Sequence, residues 1–361
     1  MDVVDRSARL RARLAEAGCD ALLVTNVTNI RYLTGFTGSA ALLLVTPDRL
    51  VFVTDGRYRD QAAAQLAAAG VEADIEIGRT ADEQRTLLTG AAAGVRRLGL
   101  ESEAVTWGQQ RRFATEWFPD AELVPTEGLV EELRRVKDAG EVARIQAACA
   151  IADAALAAVR HRLGESPTEA EVALELEWQM RRLGAEGPSF DTIVAAGPNG
   201  AMPHHRAGER RIAEGDLVVI DFGALVDGYH SDMTRTVAVG EISAEQQRML
   251  DAVAEAQAAG VAAVRAGVAA KDVDEACRAV LRDAGLEEAF LHGTGHGVGL
   301  DIHEAPRVSA NAPGTLADGH VVTVEPGVYL PEHGGVRIED TVVVTAEGCR
   351  TLTLAPKDPT L

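Results

Sequence analysis

The chain has 361 residues, of which 47% are hydrophobic and 25% are charged. This globular composition excludes wholesale disorder, and the length suits about two domains. Its 35 lysines and arginines stand against 55 aspartates and glutamates, and the formal charge of −20 disfavours nucleic-acid binding because phosphate backbones are anionic. The apolar runs look too short for a membrane span, and the first residues lack the basic and apolar regions of a secretory leader. Four cysteines without a CxxC pair are typical of a reducing compartment. We therefore expect a soluble cytoplasmic protein that binds neither nucleic acid nor membranes.

The first third of the chain alternates short apolar runs with alanine-rich segments. Runs rich in leucine, valine and threonine predict strands at Ala21–Thr25, Ala41–Thr46, Leu50–Thr54 and Arg97–Leu100. Two segments between them, Tyr58–Ala69 and Ala81–Ala93, have helical patterns. Strands that alternate with helices predict an α/β domain, here over residues 1–130.

Capping boxes mark the helices in the remainder of the chain. Asp138 and Thr168 each precede a glutamate by three residues, and they predict helices that run to about Leu163 and to Gly184. Ser243 caps a third helix, and a fourth is predicted at Lys271–Ala284. Strands are predicted at Asp216–Phe222, Met233–Val239, Val321–Glu325, Gly335–Val344 and Thr351–Leu354. Two helix pairs, each followed by a hairpin, predict an α+β domain over residues 131–361.

An internal repeat relates two segments of this second domain. Residues 214–223 (EGDLVVIDFG) and 318–327 (DGHVVTVEPG) share an acid and a glycine, then a β-forming run that ends at Asp221 or Glu325. A return strand in each copy carries a further acid, Asp232 or Glu339. The repeat predicts two hairpins related by approximate two-fold symmetry, each presenting two carboxylates.

These four carboxylates are expected to bind cations. A lone acid at the end of a strand is ordinarily a solvated turn residue. Asp221 and Glu325, however, end runs without polar alternation, so their surroundings should be buried, where an unpaired carboxylate is costly. Like charges close together raise that cost. Two divalent ions would balance the four charges, and a bridging hydroxide would complete the site.

Histidines supply further candidate site residues. His292, His296 and His303 fall within the segment LHGTGHGVGLDIHE, whose interleaved glycines argue against an HExxH helix and do not satisfy GxGxxG. We expect these glycines to let the backbone approach a ligand closely. Three histidines in so short a segment favour metal ligation or proton transfer. The adjacent pair His204 and His205 is a weaker signal.

These motifs carry a family resemblance. Asp221, Asp232, His296, Glu325 and Glu339 lie in VIDFG, SDMTRT, HGTGHG, VEPG and RIED, which match the five-ligand pattern of the pita-bread metallopeptidases, the creatinase and methionine aminopeptidase superfamily. More narrowly, the chain resembles bacterial Xaa-Pro aminopeptidases and Xaa-Pro dipeptidases (prolidases). The segments NIRYLTGFTG and TDGRY are similar to the creatinase-type N-terminal domain of those enzymes. The resemblance implies an α/β creatinase-type domain followed by an α+β pita-bread catalytic domain.

The resemblance also implies a dinuclear metal centre. In it, Asp221 chelates one metal, Asp232 and Glu339 bridge both, and His296 and Glu325 complete the other. Four carboxylates and one imidazole form an oxygen-rich set that suits Mn²⁺, with Co²⁺ or Zn²⁺ as alternatives. A hydroxide between the metals would attack the scissile carbonyl. The relatives further imply a homodimer.

A second set of residues is implied to act on substrate. It comprises His204, His292, His303 and Arg337, which line the substrate site, and Glu325, which shuttles the proton. His205 stands where relatives usually carry a small residue, so the sequence leaves open whether His204 or His205 is the substrate-site histidine, and the Pro-His match favours His204. A surface arginine without a catalytic role is the alternative for Arg337.

The resemblance implies hydrolysis of the Xaa-Pro bond of a peptide whose second residue is proline. General peptidases handle this bond poorly because proline lacks the N–H and constrains the backbone. The short chain and the N-terminal motifs favour an aminopeptidase that acts on longer peptides. The alternative is a dipeptidase restricted to dipeptides. Arg337 is the candidate cation for a dipeptide carboxylate, but both groups of relatives carry it.

Three further alternatives have less support. A methionine aminopeptidase would share the five ligands but would not need the first domain. A creatinase-like hydrolase would share both domains but works without metal and has lost ligands that this chain retains. A non-catalytic binding protein is disfavoured by the complete set of site residues.

Overall fold

The computed structural model describes residues 3–361. Met1 and Asp2, with which the first predicted domain begins, lie outside the described residues. The chain divides into two compact units, one ending at Arg134 and the other spanning Arg135–Leu361. The division lies a few residues beyond the change that the sequence predicts near residue 130.

The first unit is built on a six-stranded mixed sheet. Its strands are β1 (Ala21–Val24), β2 (Ala41–Val45), β3 (Leu50–Thr54), β4 (Asp74–Ile77), β5 (Arg97–Glu101) and β6 (Glu122–Thr126). They lie in the order β4-β3-β2-β1-β5-β6, and β4 and β6 join the sheet as parallel edge strands. Its helices are α1 (Arg6–Leu14), α2 (Val27–Thr34), α3 (Arg59–Ala68), α4 (Ala81–Ala91), α5 (Trp107–Arg112) and α6 (Glu131–Arg134), with a π-helical turn at Phe113–Trp117. The α/β class is therefore confirmed.

The sequence reasoning missed both edge strands and helix α2. β4 has the sequence DIEI and no fully buried residue, and β6 contains Pro125. A strand exposed on one side needs no continuous apolar run, and proline is tolerated at a sheet edge, so neither strand produces the pattern of a central strand. Helix α2 is only eight residues long and begins at the Asn26 cap, whose side chain accepts a hydrogen bond from the Thr28 amide.

Four long helices of the second unit match the predicted ones. They are α7 (Ala139–Val159), α8 (Glu169–Arg182), α9 (Ala244–Ala263) and α10 (Ala270–Asp283). A 3₁₀ segment, Arg160–Glu165, continues α7 to the predicted end. The capping boxes at Asp138, Thr168 and Ser243 are confirmed, because each cap side chain and the side chain three residues later exchange hydrogen bonds with the backbone.

One helical segment, Ala139–Glu165, is long and apolar enough to cross a membrane by length and composition alone. The expectation that no apolar run reaches such a length is wrong for this segment. Core helices of globular domains pass the same test. Here Ala148, Ala152 and Leu156 pack in a hydrophobic core, and the buried Glu141 accepts a hydrogen bond from Tyr229. These contacts describe a core helix of the second unit.

Two similar halves make up the second unit. The strands are β7 (Gly187–Pro188), β8 (Ile193–Ala196), β9 (Leu217–Phe222), β10 (Ala224–Val226), β11 (Tyr229–His230), β12 (Met233–Ala238), β13 (Gly295–Gly297), β14 (Glu304–Val308), β15 (Val321–Val324), β16 (Gly327–Leu330), β17 (Gly334–Arg337), β18 (Asp340–Val344) and β19 (Cys349–Thr351). Short 3₁₀ segments lie at Gly197–Ala201 and Glu287–Ala289. One core joins α7 and α8 to β8, β9 and β12, and another joins α9 and α10 to β15 and β18. The α+β class with an internal repeat is confirmed.

Two predicted strands differ from the structure. The single strand predicted at Gly335–Val344 is two strands, β17 and β18, separated by Ile338 and Glu339. β17 pairs with β16 in a separate two-stranded sheet, whereas β18 pairs with β15, so the chain changes partners at Glu339. The last strand lies at Cys349–Thr351, where it pairs with β18, rather than at Thr351–Leu354.

Candidate metal centre

Three carboxylates that lie on or next to different strands meet in the second unit. Asp221 lies on β9, Asp232 directly precedes β12, and Glu339 lies between β17 and β18. One oxygen from each lies within 4.8 Å of those of the other two. The backbone determines this meeting, because Thr234 pairs with Asp221 in the β9–β12 register and its carbonyl accepts from the Glu339 amide at 3.1 Å. The Thr234 hydroxyl also donates to Glu339 Oε2 at 2.7 Å.

The other two predicted ligands lie beside this cluster. His296 Nε2 is 3.5 Å from Asp232 Oδ2 and 3.4 Å from Glu325 Oε1. The other ring nitrogen, Nδ1, lies 3.0 Å from the Gly297 carbonyl and is therefore assigned as the protonated one. The Nε2 lone pair then faces the carboxylates, which is the form of histidine that ligates a metal. All five residues predicted as ligands thus converge.

Burial places this cluster of acids under electrostatic strain. Burial, together with the charges of Glu339 and Asp221, raises the pKa of Asp232 well above its usual value. Burial and the charges of Glu325 and Asp221 do the same to Glu339. The pKa of Glu325 rises to about 7, mainly through burial. Without a counter-charge the ionised form of these buried carboxylates is therefore disfavoured.

The donor atoms fit a divalent cation. Asp221 Oδ1 and Glu339 Oε1 are buried and have no hydrogen-bond partner among the described residues. Buried oxygens are ordinarily paired, so two unpaired carboxylate oxygens beside one imidazole nitrogen call for a positive ligand. A set rich in carboxylate oxygen with one histidine suits divalent ions of the Mn²⁺ type.

Arg337, His292 and Tyr329 form a buried hydrogen-bond network next to the cluster. The guanidinium of Arg337 lies 2.5 Å from Asp221 Oδ2 and donates to the Tyr329 hydroxyl at 2.8 Å. Tyr329 lies 2.8 Å from His292 Nε2, and His292 Nδ1 lies 2.9 Å from the Gly293 carbonyl. Burial lowers the pKa of His292 to about 4 and raises that of Tyr329 to about 12, so both are neutral at pH 7.

This network corrects the expectation for Arg337 and adds a residue that the sequence did not predict. The alternative of a surface arginine for Arg337 is wrong, because the residue is 3% exposed. Tyr329 was missed, although the sequence places it four residues after Glu325 in VEPGVY. Both ring nitrogens of His292 contact the protein, Nε2 the Tyr329 hydroxyl and Nδ1 the Gly293 carbonyl.

The remaining histidines divide into two groups. His303 is exposed, and its ring centroid lies 4.4 Å from that of His296. His204 is exposed. Burial is the main cause that lowers the pKa of His292 and His303, and the charge of His204 adds to both shifts, whereas it opposes the rise that burial causes in the pKa of Glu325. His205 instead lies 2.8 Å from the buried carboxylate of Glu169.

The glycines around His296 are required by the packing of the neighbouring strands. A Cβ atom on Gly295 would lie 2.0 Å from the Thr323 carbonyl oxygen, and one on Gly297 would lie 2.4 Å from the Ala305 carbonyl oxygen. These glycines therefore let neighbouring strands approach β13. The close approach of the backbone to a ligand stays a prediction.

Arg307, on β14, was also missed by the sequence reasoning. Burial lowers the pKa of His296 and of His303, and the positive charge of Arg307 contributes to lowering both. The side chain is exposed, and no described carboxylate lies within ion-pair distance of it. Only its spacing of four residues from His303 could have drawn attention to it.

Comparison with known proteins identifies the family of the chain. Residues 143–346 match the model of metallopeptidase family M24, and residues 6–136 match the creatinase/prolidase N-terminal domain. The uncharacterized peptidase YqhT of Bacillus subtilis is 42% identical over 350 residues, which cover 97% of this chain and 98% of the relative. The Xaa-Pro dipeptidase of Pyrococcus horikoshii is 36% identical over 344 residues, covering 94% of each.

Solved structures show the same two-domain fold. An Xaa-Pro dipeptidase from Bacillus anthracis superimposes with a TM-score of 0.94 at 40% identity and covers 99% of both chains. An X-Pro aminopeptidase from Thermotoga maritima superimposes with a TM-score of 0.89 at 35% identity and covers 99% of this chain and 100% of its own. The chain therefore belongs to metallopeptidase family M24, with a creatinase-type N-terminal domain and a pita-bread catalytic domain.

Proposed function

We propose that this metallopeptidase is an Xaa-Pro aminopeptidase that uses two divalent ions, with Mn²⁺ as the favoured metal. One observation carries the proposal: four carboxylates and the Nε2 atom of His296 converge, and two of the buried oxygens, Asp221 Oδ1 and Glu339 Oε1, lack hydrogen-bond partners among the described residues. Relatives named as Xaa-Pro dipeptidases and aminopeptidases support the substrate class.

The ions would be held by Asp221, Asp232, His296, Glu325 and Glu339. When bound, divalent ions lower the pKa of water and polarise a carbonyl oxygen. The imide nitrogen of proline needs a proton to leave. Glu325, whose carboxylate lies 3.4 Å from His296 Nε2 at the edge of the cluster, can pass the proton of the attacking water to that nitrogen.

Histidines on the exposed side would orient the peptide. The exposed rings of His204 and His303 can donate hydrogen bonds to substrate carbonyl oxygens. Arg337 and Tyr329, which are buried and bonded to one another, hold Asp221 and His292 in place. This division assigns substrate contact to His204 and His303 and support of the site to Arg337.

The engagement of Arg337 bears on substrate length. A dipeptidase needs a cation for the proline carboxylate. Arg337 is buried and already bonded to Asp221, Tyr329 and Thr234, so it has little capacity for a further carboxylate. Without that interaction the leaving side can accept a longer chain, which favours the aminopeptidase.

A dipeptidase is the second candidate, and Arg307 favours it. This guanidinium is exposed, its charge acts on the rings of His296 and His303, and it has no acidic partner among the described residues. It could pair with the carboxylate of a dipeptide. The two candidates therefore differ in whether Arg307 contributes to binding.

The deciding experiment compares an Xaa-Pro dipeptide with Xaa-Pro-Yaa and longer peptides in wild type, Arg307→Ala and the exposed control Arg265→Ala. For the aminopeptidase we expect comparable or faster cleavage of the longer peptides. Arg307→Ala should then leave the KM unchanged. The dipeptidase would be established by cleavage that is confined to dipeptides. In that case the KM for the dipeptide should rise at least about tenfold in Arg307→Ala and stay unchanged in Arg265→Ala.

Metal dependence tests the proposal from another side. Chelation should abolish hydrolysis, and Mn²⁺ should restore it more effectively than Co²⁺ or Zn²⁺. Elemental analysis of the restored enzyme should find two ions per chain. Full activity of the chelated, metal-free protein would contradict the assignment of all five ligands.

We further propose that the enzyme acts in the cytoplasm as a homodimer. The cysteine usage and the family resemblance support this extension. Sedimentation equilibrium should give twice the chain mass of 38.1 kDa, and cell fractionation should recover the enzyme with the cytoplasmic proteins. A monomer at micromolar concentration would contradict the dimer.

A further inference from the structure

The segment that carries His204 is attached to a single buried carboxylate. Glu169 is the first residue of α8 and is fully buried. Its Oε1 accepts hydrogen bonds from the Ala196 amide at 2.8 Å and from Asn199 Nδ2 at 2.9 Å. Its Oε2 accepts from the Gly208 amide at 3.2 Å and lies 2.8 Å from His205 Nε2. All four partners belong to residues 196–208, which comprise the end of β8 and the first part of its connection to β9.

His205 is the side chain that fastens this segment beside His204. Its side chain is 15% exposed, and its Nε2 must carry a proton to donate to the carboxylate of Glu169. The His205 amide also donates to the Met202 carbonyl at 3.1 Å, which closes a turn around Pro203 and His204. The His205 ring therefore bonds to Glu169 rather than to a substrate.

The same segment lies against the strand that carries Arg337. A Cβ atom on Gly335 would lie 1.9 Å from the Gly200 carbonyl oxygen, so β17 and the segment touch through their backbones. Arg337 Nη1 lies 3.4 Å from the Pro203 carbonyl. Because Arg337 also donates to Asp221, these contacts bring the turn at Pro203 and His204 close to the acid cluster.

We propose that Glu169 and His205 form a positioning pair that holds residues 196–208 and thereby directs His204, rather than His205, toward the substrate. The proposal rests on the proposed function, because it assigns the substrate contact to His204. Neither Glu169 nor His205 touches substrate; both act through the position of His204. Misplacement of a catalytic group by about 1 Å can cost about a hundredfold in rate.

Kinetics in a double-mutant cycle test the pair. His205→Leu removes the donor, His205→Gln keeps one on an amide, and each is combined with His204→Asn. We expect His205→Leu to lower kcat at least about tenfold with metal content unchanged, and His205→Gln to stay within about threefold of wild type. The double variant His204→Asn/His205→Leu should be no slower than His204→Asn alone. Losses that multiply in the double variant, or a wild-type rate in His205→Leu, would overturn the proposal.

A spectroscopic measurement separates this proposal from the proposed function. In Zn²⁺-loaded protein labelled with ¹⁵N-histidine, the His204 ring signals are assigned by their loss in His204→Asn. They should shift in His205→Leu and in Glu169→Gln, and stay unchanged in His161→Leu, a control at an exposed position of the same unit. Glu169→Gln preserves side-chain size, so it serves if His205→Leu does not fold. Unmoved His204 signals in both variants would overturn the positioning role, whereas absence of Xaa-Pro hydrolysis by wild type would overturn only the proposed function.

Discussion

The guanidinium of Arg235 donates to the Asp340 carboxylate across 3.0 Å, and both side chains are almost fully buried. Asp340 directly follows Glu339, and Arg235 also donates to the Glu339 and Thr234 carbonyls. The pair thus ties β12 to β18 at the point where the carboxylate cluster forms. Asp340 is further held by Gln257 and by Lys357.

Replacing Arg235 with methionine should therefore destabilise the second unit and weaken metal binding. The substitution leaves the Asp340 charge buried with fewer partners, which is expected to cost about 3 kcal/mol of unfolding free energy. Urea unfolding measures the loss, and calorimetric titration with Mn²⁺ measures the affinity. The control Arg162→Met breaks two partly exposed ion pairs, with Glu165 and Glu175, and should cost about 1 kcal/mol or less. Equal losses in both variants would contradict the structural role of Arg235.

Asp232 and Glu339 should differ from His303 in their effect on metal binding. Asp232→Asn and Glu339→Gln remove a charge from the buried cluster, so both should lose metal and activity. His303→Asn should keep its metal and lose about a hundredfold in kcat, because His303 is exposed and outside the cluster. Calorimetric titration with Mn²⁺ and elemental analysis compare the three variants. Similar metal loss in all three would show that the ligand assignment is wrong.

Metal should also stabilise the fold. A ligand that binds only the folded state adds about 2.7 kcal/mol at a free concentration of 100 times its Kd. Mn²⁺ should raise the thermal midpoint of wild type and leave that of Asp232→Asn unchanged. A rise of equal size in both proteins would mean that Mn²⁺ binds elsewhere.

His320 should make the second unit sensitive to acid. Burial, then the charges of Arg135 and Lys137, lowers the pKa of His320 to about 4, below the value of about 6.5 expected in the unfolded chain. Between these values the unfolded chain binds a proton that the folded chain does not, so stability falls as the pH falls from about 6.5 toward 4. In the fold, His320 Nδ1 accepts from the Ala317 amide at 3.1 Å, a bond that protonation removes.

An asparagine at this position can accept the same hydrogen bond without titrating. From pH 7 to pH 5 the wild type should lose about 2 kcal/mol more of unfolding free energy than His320→Asn does. Urea unfolding at the two pH values gives this difference directly. His161→Asn, at an exposed position, should follow the wild type. Identical pH dependence in wild type and His320→Asn would exclude the role of His320.

Gly295 should tolerate no side chain. Its Cβ would lie 2.0 Å from the Thr323 carbonyl oxygen, a backbone atom that cannot turn away. Gly295→Ala should therefore push β13 from β15, lower the unfolding free energy by about 3 kcal/mol and displace the neighbouring His296. Gly164→Ala, where nothing lies within 4 Å of the new Cβ, should change stability little. Thermal midpoints and Mn²⁺ affinity report the two effects, and a Gly295→Ala protein as stable as Gly164→Ala would refute the clash.

Local patterns made a large part of this structure predictable. The capping boxes at Asp138, Thr168 and Ser243 locate their helices because a cap and its partner are three residues apart in sequence and in space. The central strands of both units are continuous apolar runs, as burial on both faces requires. The repeat around Asp221 and Glu325 was visible because the two hairpins have similar sequences.

Contacts between distant residues were decided by the tertiary structure alone. The run from Gly335 to Val344 reads as one strand, and it divides at Glu339 only because β16 and β15 pair with its two ends. The bonds of Tyr329 to His292 and Arg337, and of Glu169 to His205, join side chains that no periodicity relates. The sequence by itself determined which residue types could bind metal, since charge and donor chemistry belong to each residue. Packing between segments far apart in the chain decided the rest. It determined which carboxylate oxygens stay unpaired and which of His204 and His205 bonds to Glu169.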